Sequence, residues 1–504
     1  MQGTSKQQLN LVWLKRDLRT QDHLPLAEAE LNGLPYVVLY IFEPSMLAYP
    51  DCADRHLRFQ FQSLQAMQQK WSEIQRIPVL FHAEAIEVFN WFNKEFQIQQ
   101  VFSYQESGID KTFQRDLEVA SFFKSQNIQW KQYQRNGVLR AIQNRKNWDT
   151  KWHAYMSEKP LLNTYSAALN PSFFEAFVMQ HPFQVPSTLL IQWSQKEAQL
   201  QPGGELHAWQ YLQSFLNERF YNYQFHISKP AQSRKSCSRL SPFIAWGNLS
   251  LRQVYYASKQ KQVIIKNKRP LQAFLTRLKW HDHFVQKFEQ ACSYETKAIN
   301  KAFDDLKASN NVHYLEAWKT GNTGIPLVDA NMRALIQTGW VNFRMRALLV
   351  SFLTHHLDID WKLGVYHLAH LFLDYEPGIH YTQFQMQAGT TGVNTLRVYN
   401  PVKNALEHDP DAEFIKKWIP ELSKLPTQLI AQPWLLNPLE AAMYQFKIGE
   451  DYPAPIIELQ GKHKTMVDQI YAIKKTALAQ TEGKTIVSKL ERPQKLKTKT
   501  AKKS

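Results

Sequence analysis

The sequence predicts two domains of different class: an α/β N-terminal domain built on a doubly wound parallel sheet, then an all-α C-terminal domain. Three observations predict it. Short apolar runs alternate with amphipathic segments from Leu9 to about Gln134. From Pro202 onward, apolar residues recur at helical spacing. The chain has 504 residues, enough for two or three separate cores.

The runs LNLVWL, PYVVLYIF, IPVLF and IQQVFSY read as buried parallel strands, being apolar throughout rather than alternating. RHLRFQFQSLQAMQQKW, AIEVFNWFNKEF and TFQRDLEVASFFKSQ read as the intervening helices. Loops at the carboxyl ends of such strands are open to a ligand. The domain has no GxGxxG, so a dinucleotide fingerprint is not supported. Its expected extent is 8–135. Prolines at 160, 171, 182, 186 and 202 punctuate the next stretch, and 136–201 is expected to be a connector with short helical pieces. The helical domain is expected over 202–475. The segment 476–504, ending in SKLERPQKLKTKTAKKS, is expected to be a basic, disordered tail.

The net charge is +16, which favours a polyanionic partner, although part of it sits in the final segment. No run of 18 apolar residues appears, so no membrane span is expected. The first ten residues, MQGTSKQQLN, contain no apolar signal segment. Cys52, Cys237 and Cys292 are scattered, which suits a reducing compartment and cannot supply a four-cysteine cluster. A monomeric, cytoplasmic protein of bacterial type, associated with the nucleoid, is expected. His281, Asp282 and His283 are adjacent on a helical stretch and point in different directions, so no metal is expected.

The stretch from Gly321 to Pro401 carries the most chemistry. Leu327, Val328, Met332, Leu335 and Ile336 form an apolar face, broken by Arg333, Arg344 and Arg346 and followed by Asp374 and Glu376. Such groups are rarely buried without partners. The helices are therefore laced by ion pairs or built around a polar ligand. Upstream, SRKSCSRLSPFIAWGNLSLRQV concentrates hydroxyls, amides and arginines in one loop, a combination suited to an anion or to ordinary helix capping.

These blocks carry a resemblance. TGIPLVDANMRALIQTGWVNFRMR, then DIDW, then RVYNP resemble the flavin-binding core of the photolyase/cryptochrome family. KRDLRTQDH after the first strand and CSRLSPFIAWG resemble two further family blocks. The resemblance extends from about Leu11 to about Tyr452 and implies the photolyase/cryptochrome fold, FAD as cofactor and DNA containing pyrimidine dimers as partner. It also implies that the N-terminal domain can hold an antenna chromophore of folate or deazaflavin type. Glu106 and the Arg115–Asp116 pair sit near that region, but the spacing is irregular. Glu106 is expected to be a solvated loop acid, and the antenna stays unassigned.

By the same resemblance, Ser238, Arg239 and Ser241 contact the FAD diphosphate with Leu240, and Cys237 stands where threonine is more usual. Tyr223 resembles the nearby flavin-binding tyrosine. His281 replaces an arginine beside the flavin. Arg346 and Asp374 resemble the family ion pair there, and Asp374, Tyr375 and Glu376 the segment that receives the ring edge and ribose. His380 falls where asparagine usually faces flavin N5. Trp280 matches the substrate-stacking tryptophan. Arg277 stands in place of a dimer-binding glutamate and Met386 in place of a second stacking tryptophan. Arg344 and Arg397 are expected to hold phosphates flanking the lesion. Arg277, Trp280, His281 and Phe284 are spaced to share one helix side. Of three electron-carrying tryptophans common in the family, only Trp361 is kept, with Phe384 and Ala308 at the other positions. Tyr366, Tyr375 and Tyr381 are alternative carriers or plain core aromatics.

The resemblance implies a deoxyribodipyrimidine photolyase, a light-driven lyase. In that chemistry reduced FAD donates one electron to a flipped-out dimer, the cyclobutane ring opens and the electron returns. Trp280, Arg277 and His380 would be its catalytic residues. The altered positions fit a divergent bacterial branch and leave a second expectation, a cryptochrome-like blue-light photoreceptor without repair. Repair of the (6-4) photoproduct is disfavoured because WVNFRMR lacks the histidine of that subfamily.

Overall fold

The computed structural model describes residues 6–74, 77–166 and 180–490. Helices of eight or more residues are numbered in chain order. β1 (Gln8–Leu14), β2 (Tyr36–Ile41), β3 (Val79–Phe81), β4 (Gln97–Tyr104) and β5 (Gln129–Tyr133) form one parallel sheet in the order β3-β2-β1-β4-β5. The apolar runs of β1 and β2 are continuous because these strands bury both faces. Leu9, Leu11 and Trp13 of β1 join Val37 and Leu39 of β2 in one core layer. Val12 and Leu14 join Val38 and Tyr40 in the other. Side chains alternate across a strand, so two apolar layers demand an apolar residue at every position.

Helices α1 (Leu24–Asn32) and α2 (Asp54–Trp71) pack with the second layer; α3 (Ala85–Glu95) and α4 (Asp110–Ser125) pack with the first. The sequence reading missed β5. Its residues QWKQY are polar, and it is a partly exposed edge strand. The order reverses at β1, flanked by β2 and β4, so a crevice opens at the carboxyl ends of these strands.

The expected connector contains α5 (Trp148–Ser157) and α6 (Ser187–Ser194). Trp148, Trp152 and Met156 of α5 are fully buried with the helical domain, so this helix is part of that core. The part of the connector over 167–179 lies outside the described residues. The helical domain continues with α7 (Glu205–Asn217), α8 (Leu251–Ile264), α9 (Arg269–Glu289), α10 (Val312–Thr320), α11 (Pro326–Thr338), α12 (Phe343–Ser351), α13 (Trp361–Leu371), α14 (Pro377–Ala388) and α15 (Pro401–His408). The last two are α16 (Lys464–Lys474) and α17 (Ala477–Leu490). Helix α17 corrects the expectation of a disordered tail from 476. Ala479, Ile486 and Leu490 supply a buried face that its basic composition hides. Residues 491–504 lie outside the described residues. Among the described residues no helix is long and apolar enough to cross a membrane.

Helices α9 and α14 cross at close range, and Gly378 makes this possible. A Cβ there would lie 2.7 Å from the Cα of Val285. Gly378→Ala must push the helices apart and is expected to cost about 1–3 kcal/mol of stability, as overpacking does. Urea unfolding of the two proteins measures this; equal midpoints and slopes would mean that the crossing has room for a methyl group.

Candidate functional site

The site lies where α9, the 340–346 segment, the 372–376 turn and α14 converge. Asn342 caps α12, its side chain accepting from the Met345 amide. This cap aims the next residues in alternating directions. Phe343 and Arg344 face a cleft, and Arg346 turns to Asp374, with Nη2 2.7 Å from Oδ2. Arg346 also lies 4.0 Å over the Phe372 ring. Arg333 takes no part, since it faces Glu421 instead.

Two cavities meet here. The inner one, about 40 Å³, is walled by Phe343, Phe372 and Phe384 and carries Arg346, Asp374, Glu376 and His380. The outer cleft, about 560 Å³, is lined by Arg277, Trp280, His283, Lys287, Arg344, Met386 and Arg397 among others. Phe343 and Gln387 line both. No carboxylate lines the outer cleft among the described residues.

Arg277, Trp280 and Phe284 share one face of α9, as their spacing requires, and the Arg277 guanidinium stacks 4.5 Å over the Trp280 ring. His281 corrects the expected grouping. It turns away from the cleft, one ring nitrogen 2.8 Å from Glu376 and the other 3.0 Å from Asp282. Burial alone would lower this imidazole, but the Glu376 charge and the two hydrogen bonds outweigh it and raise its pKa to about 10. Burial likewise penalises the Glu376 carboxylate, and His281 and Arg135 overcome that, holding it at about 2. His281 therefore lends its full stability below about pH 6.5, its ordinary value, and loses it as pH climbs to about 10. Glu376 lends its share above about pH 4.5 and loses it as pH falls to about 2. His281→Gln is expected to flatten the alkaline limb of a melting-temperature profile between pH 7 and 10. Superimposable slopes would show His281 uncharged in the folded protein.

His380 behaves oppositely. Burial pushes it down to about 4, and its Nε2 sits 2.8 Å from the Val365 carbonyl, so the neutral ring donates there. Of the two protonation states open on sequence, the neutral one is present near pH 7. Tyr375 donates from its hydroxyl to Asp51 at 2.6 Å and lies 3.2 Å from the Tyr381 hydroxyl. Tyr366 donates to Glu295. Trp361 is buried, its ring 6.3 Å from Phe384. Ala308 lies with Trp361 and Met466 around a separate small cavity.

The Cys237–Ser241 loop reaches this centre from the other side. Arg239 adopts a left-handed backbone, φ 59°, which orients the loop. Its guanidinium stacks 4.2 Å over Trp340 and donates to Gln201, and its Nε has no partner among the described residues. Burial and the neighbouring Arg234 lower Arg239 to about 10, and burial lowers Arg234 to a similar value. Neither guanidinium has an ion-pair partner among the described residues. Ser238 Oγ accepts from the Leu240 amide, and Ser241 begins a short helix. Cys237 is buried, its thiol pushed up to about 12, so it offers no thiolate. Tyr223 packs edge-on against Phe215 and Phe274. Two half-buried guanidiniums without an ion-pair partner among the described residues suit an anion. Across the site, Asp374 Oδ1 is buried without a donor. An unpaired acceptor and a cationic loop suit the polar ring edge and the diphosphate of a flavin, while the slot itself, about 40 Å³, is smaller than the flavin ring.

Sequence reasoning missed Arg16, Arg135 and Phe343. Arg16 spans the domains, donating to the Tyr375 carbonyl at 2.9 Å and stacking on Trp246 at 4.3 Å. Arg135 lies 3.7 Å from Glu376. Arg16 and Phe343 carried a signal, their places in the KRDLRTQDH and WVNFRMR blocks, and Arg135 carried none.

A further cavity, of about 130 Å³, sits at the carboxyl ends of β1, β2 and β4, lined by Trp13, Arg16, Glu43, Glu106, Arg115 and Trp246 among others. Glu106 is not a solvated loop acid. It is largely enclosed, 2.7 Å from Arg115, and despite its burial the charges of Arg115 and Lys15 hold it at about 2. Arg115 also pairs with Glu43 and Asp116. The ion pairs that form this cluster join residues from three strand ends, which no local spacing reveals.

Residues 10–163 match the family model described as DNA photolyase, and residues 274–472 the one described as FAD binding domain of DNA photolyase, together more than two thirds of the chain. A deoxyribodipyrimidine photo-lyase of Alkalihalophilus pseudofirmus is 34% identical over 52% of the chain, and the match spans 54% of that relative. One from Buchnera aphidicola is 28% identical over 91% of the chain and 96% of its own. A cryptochrome DASH of Synechocystis is 25% identical over 89% and 94%. The crystal structure of a class III photolyase from Agrobacterium tumefaciens shares the fold, with a TM-score of 0.78, 22% identity and coverage of 94% of the chain and 100% of its own.

Proposed function

This chain belongs to the photolyase/cryptochrome family and carries its FAD-binding domain, and on that ground we propose that it is a deoxyribodipyrimidine photolyase, splitting cyclobutane pyrimidine dimers in DNA under light. One observation carries the reading: a carboxylate-free, arginine-lined cleft with a partly exposed tryptophan adjoins the slot that carries Arg346, Asp374 and His380. Bound FAD supplies the light absorption and the single electron that opens the cyclobutane ring.

The chain's own residues bind, orient and exclude water. Trp280 stacks on the extruded dimer, which is cheaper to flip than an intact pair because the lesion already weakens stacking. Met386 forms a pliable opposite wall. Arg344 and Arg397 hold the flanking phosphates. Arg277, in place of an acid, donates to base carbonyls. Arg239, with Ser238 and Ser241, holds the diphosphate, and the Arg346–Asp374 pair presents its free Oδ1 to the ring edge. Neutral His380 keeps a proton at Nε2 and adds no charge beside the ring. Phe343, Phe372 and Phe384 keep water from the slot. Trp361, with Tyr375 and Tyr381, offers an electron route in place of the family's three tryptophans. The cavity at the strand ends is the place for an antenna chromophore of unassigned type.

The test is a repair assay. Purified, flavin-loaded and reduced protein is mixed with a dimer-containing oligonucleotide and kept in blue light or in darkness. Light-dependent recovery of intact thymines supports the reading. No recovery from reduced protein that binds the lesion overturns it and favours a blue-light photoreceptor. That second reading has its own observation: Arg277 lies 4.5 Å over one face of Trp280, which is then not open to a dimer.

A further inference from the structure

Four tyrosines and two carboxylates run without a break from the inner cavity to the surface. Tyr375 lines that cavity and is buried. Its hydroxyl gives its one proton to Asp51 Oδ2 at 2.6 Å. The Tyr381 hydroxyl lies 3.2 Å away and donates to the Tyr375 oxygen. The ring centroids of Tyr375 and Tyr381 are 6.4 Å apart, and those of Tyr381 and Tyr366 also 6.4 Å, within the span of aromatic pairs. Tyr366 and Tyr49 then donate to one oxygen, Glu295 Oε1, at 3.0 Å and 2.7 Å. Asp51 and Glu295 are buried, whereas Tyr366 and Tyr49 are partly exposed. Tyr49 and Asp51 come from the α/β domain and the other members from the helical one, so the ladder exists only where the domains meet.

Both ends of the ladder pair a phenol with a carboxylate able to take its proton. Burial raises the proton affinity of Asp51 and of Glu295 above that of an ordinary carboxylate. A phenol that loses an electron becomes a strong acid, and a base within hydrogen-bond reach lets the proton leave with the electron. The tryptophan alternative stops short of solvent. Trp361 is buried, its ring is 6.3 Å from Phe384, and Ala308 stands beside it instead of a further aromatic. Phe384, not Trp361, lines the inner cavity among the described residues.

We propose that Tyr375, Tyr381, Tyr366 and Tyr49 form a proton-coupled electron route between the flavin site and solvent, with Asp51 and Glu295 as its proton acceptors. The proposal rests on the reading of the inner cavity as part of a flavin site and does not depend on repair. Under light one electron leaves Tyr375 for the oxidised flavin, and the Tyr375 proton passes to Asp51. An electron and the hydroxyl proton from Tyr381 then restore Tyr375. An electron from Tyr366 refills Tyr381, and the proton held by Asp51 returns through Tyr375 to the Tyr381 oxygen. The Tyr366 proton goes to Glu295, and Tyr49, bonded to the same oxygen, shares this last position. A thiolate in solution supplies the final electron and Glu295 returns its proton. The thiyl radicals couple to disulfide, so the net change is one electron moved from thiolate to flavin.

The test illuminates the full-length, flavin-loaded, oxidised protein with a thiol present. Electron paramagnetic resonance is read on samples frozen under light, with ordinary and with ring-deuterated tyrosine, and flavin bleaching is followed in water and in heavy water. The expected result is a radical signal that narrows on ring deuteration and bleaching that slows in heavy water. Asp51→Asn still accepts the Tyr375 hydroxyl but cannot take its proton, so radical formation is expected to fall by about 100-fold or more. Asp51→Glu, which restores a base, is expected to recover part of it. Tyr49→Phe/Tyr366→Phe closes the exit, and bleaching by the thiol is expected to drop to near background. A signal indifferent to tyrosine deuteration overturns the route, and the wild-type protein alone decides this even where a variant fails to fold. Wild-type bleaching with an unchanged heavy-water effect in Asp51→Asn also overturns it. Protein that takes up no flavin overturns the route together with the reading of the inner cavity. Chemically reduced protein bypasses the ladder, so the repair assay tests the proposed function separately.

Discussion

Arg346→Ala is expected to yield protein that purifies with little or no flavin and unfolds at clearly lower denaturant. The substitution removes the partner of Asp374, whose side chain is 3% exposed, while leaving the carboxylate in place. A buried charge stripped of its counter-ion costs about 3–5 kcal/mol. The guanidinium also covers the Phe372 ring and donates to the Val341 carbonyl at 3.1 Å, so packing and the 341–346 turn are lost with the charge. Flavin absorbance per protein and a urea titration measure the two effects separately. Arg346→Ala/Asp374→Asn should recover much of the stability, because no uncompensated charge remains, but not the flavin. If Arg346→Ala keeps a full complement of flavin, the pair does not belong to the cofactor site.

Trp280→Ala acts on the substrate alone. The ring is 38% exposed, on the cleft face of α9, so removing it costs the fold little. Base-aromatic stacking is worth about 1–3 kcal/mol, and dimer-containing DNA should bind about 5- to 150-fold more weakly. Binding of undamaged duplex, which rests on phosphate contacts, should hold. Trp280→Phe should retain part of the affinity. Arg277→Ala provides the companion measurement. If the guanidinium 4.5 Å above the ring must move aside for the dimer, its removal strengthens lesion binding; if it forms one side of a stack, its removal weakens it. Lesion affinity indifferent to Trp280 would move the substrate elsewhere.

The helical core shows how far motif spacing reaches. Arg346 and Asp374 are 28 positions apart, yet both sit in ordered blocks whose resemblance brings them together, and the structure pairs them. Whether a flavin lies beside them is the part that resemblance alone supplies. Helical periodicity grouped Arg277, Trp280 and Phe284 rightly, since residues three and four apart share a face. It misplaced His281, which is four positions from Arg277 and three from Phe284 and so shares that face by spacing; its ring is drawn aside by Asp282 and by Glu376, which comes from another segment. Glu106 read as a loop acid because its three cationic neighbours, Lys15, Arg16 and Arg115, come from a different strand end and a later helix.

Legible in the chain without any coordinates were the strands whose two faces are both buried, the helices with one apolar stripe, the family and its cofactor domain. These rest on local periodicity and on blocks in order, and both are one-dimensional. Three-dimensional packing was needed to show that β5 closes the sheet edge, that α5 belongs to the helical core and that 477–490 is a helix rather than a tail. It was needed too for which charges meet: Arg16 with the Tyr375 carbonyl, Arg135 and His281 with Glu376, Arg145 with His283 and Leu490. The cause is the same in each case. A short or polar segment is stabilised by surfaces from distant parts of the chain, and a buried charge is set by partners that no spacing along the chain records.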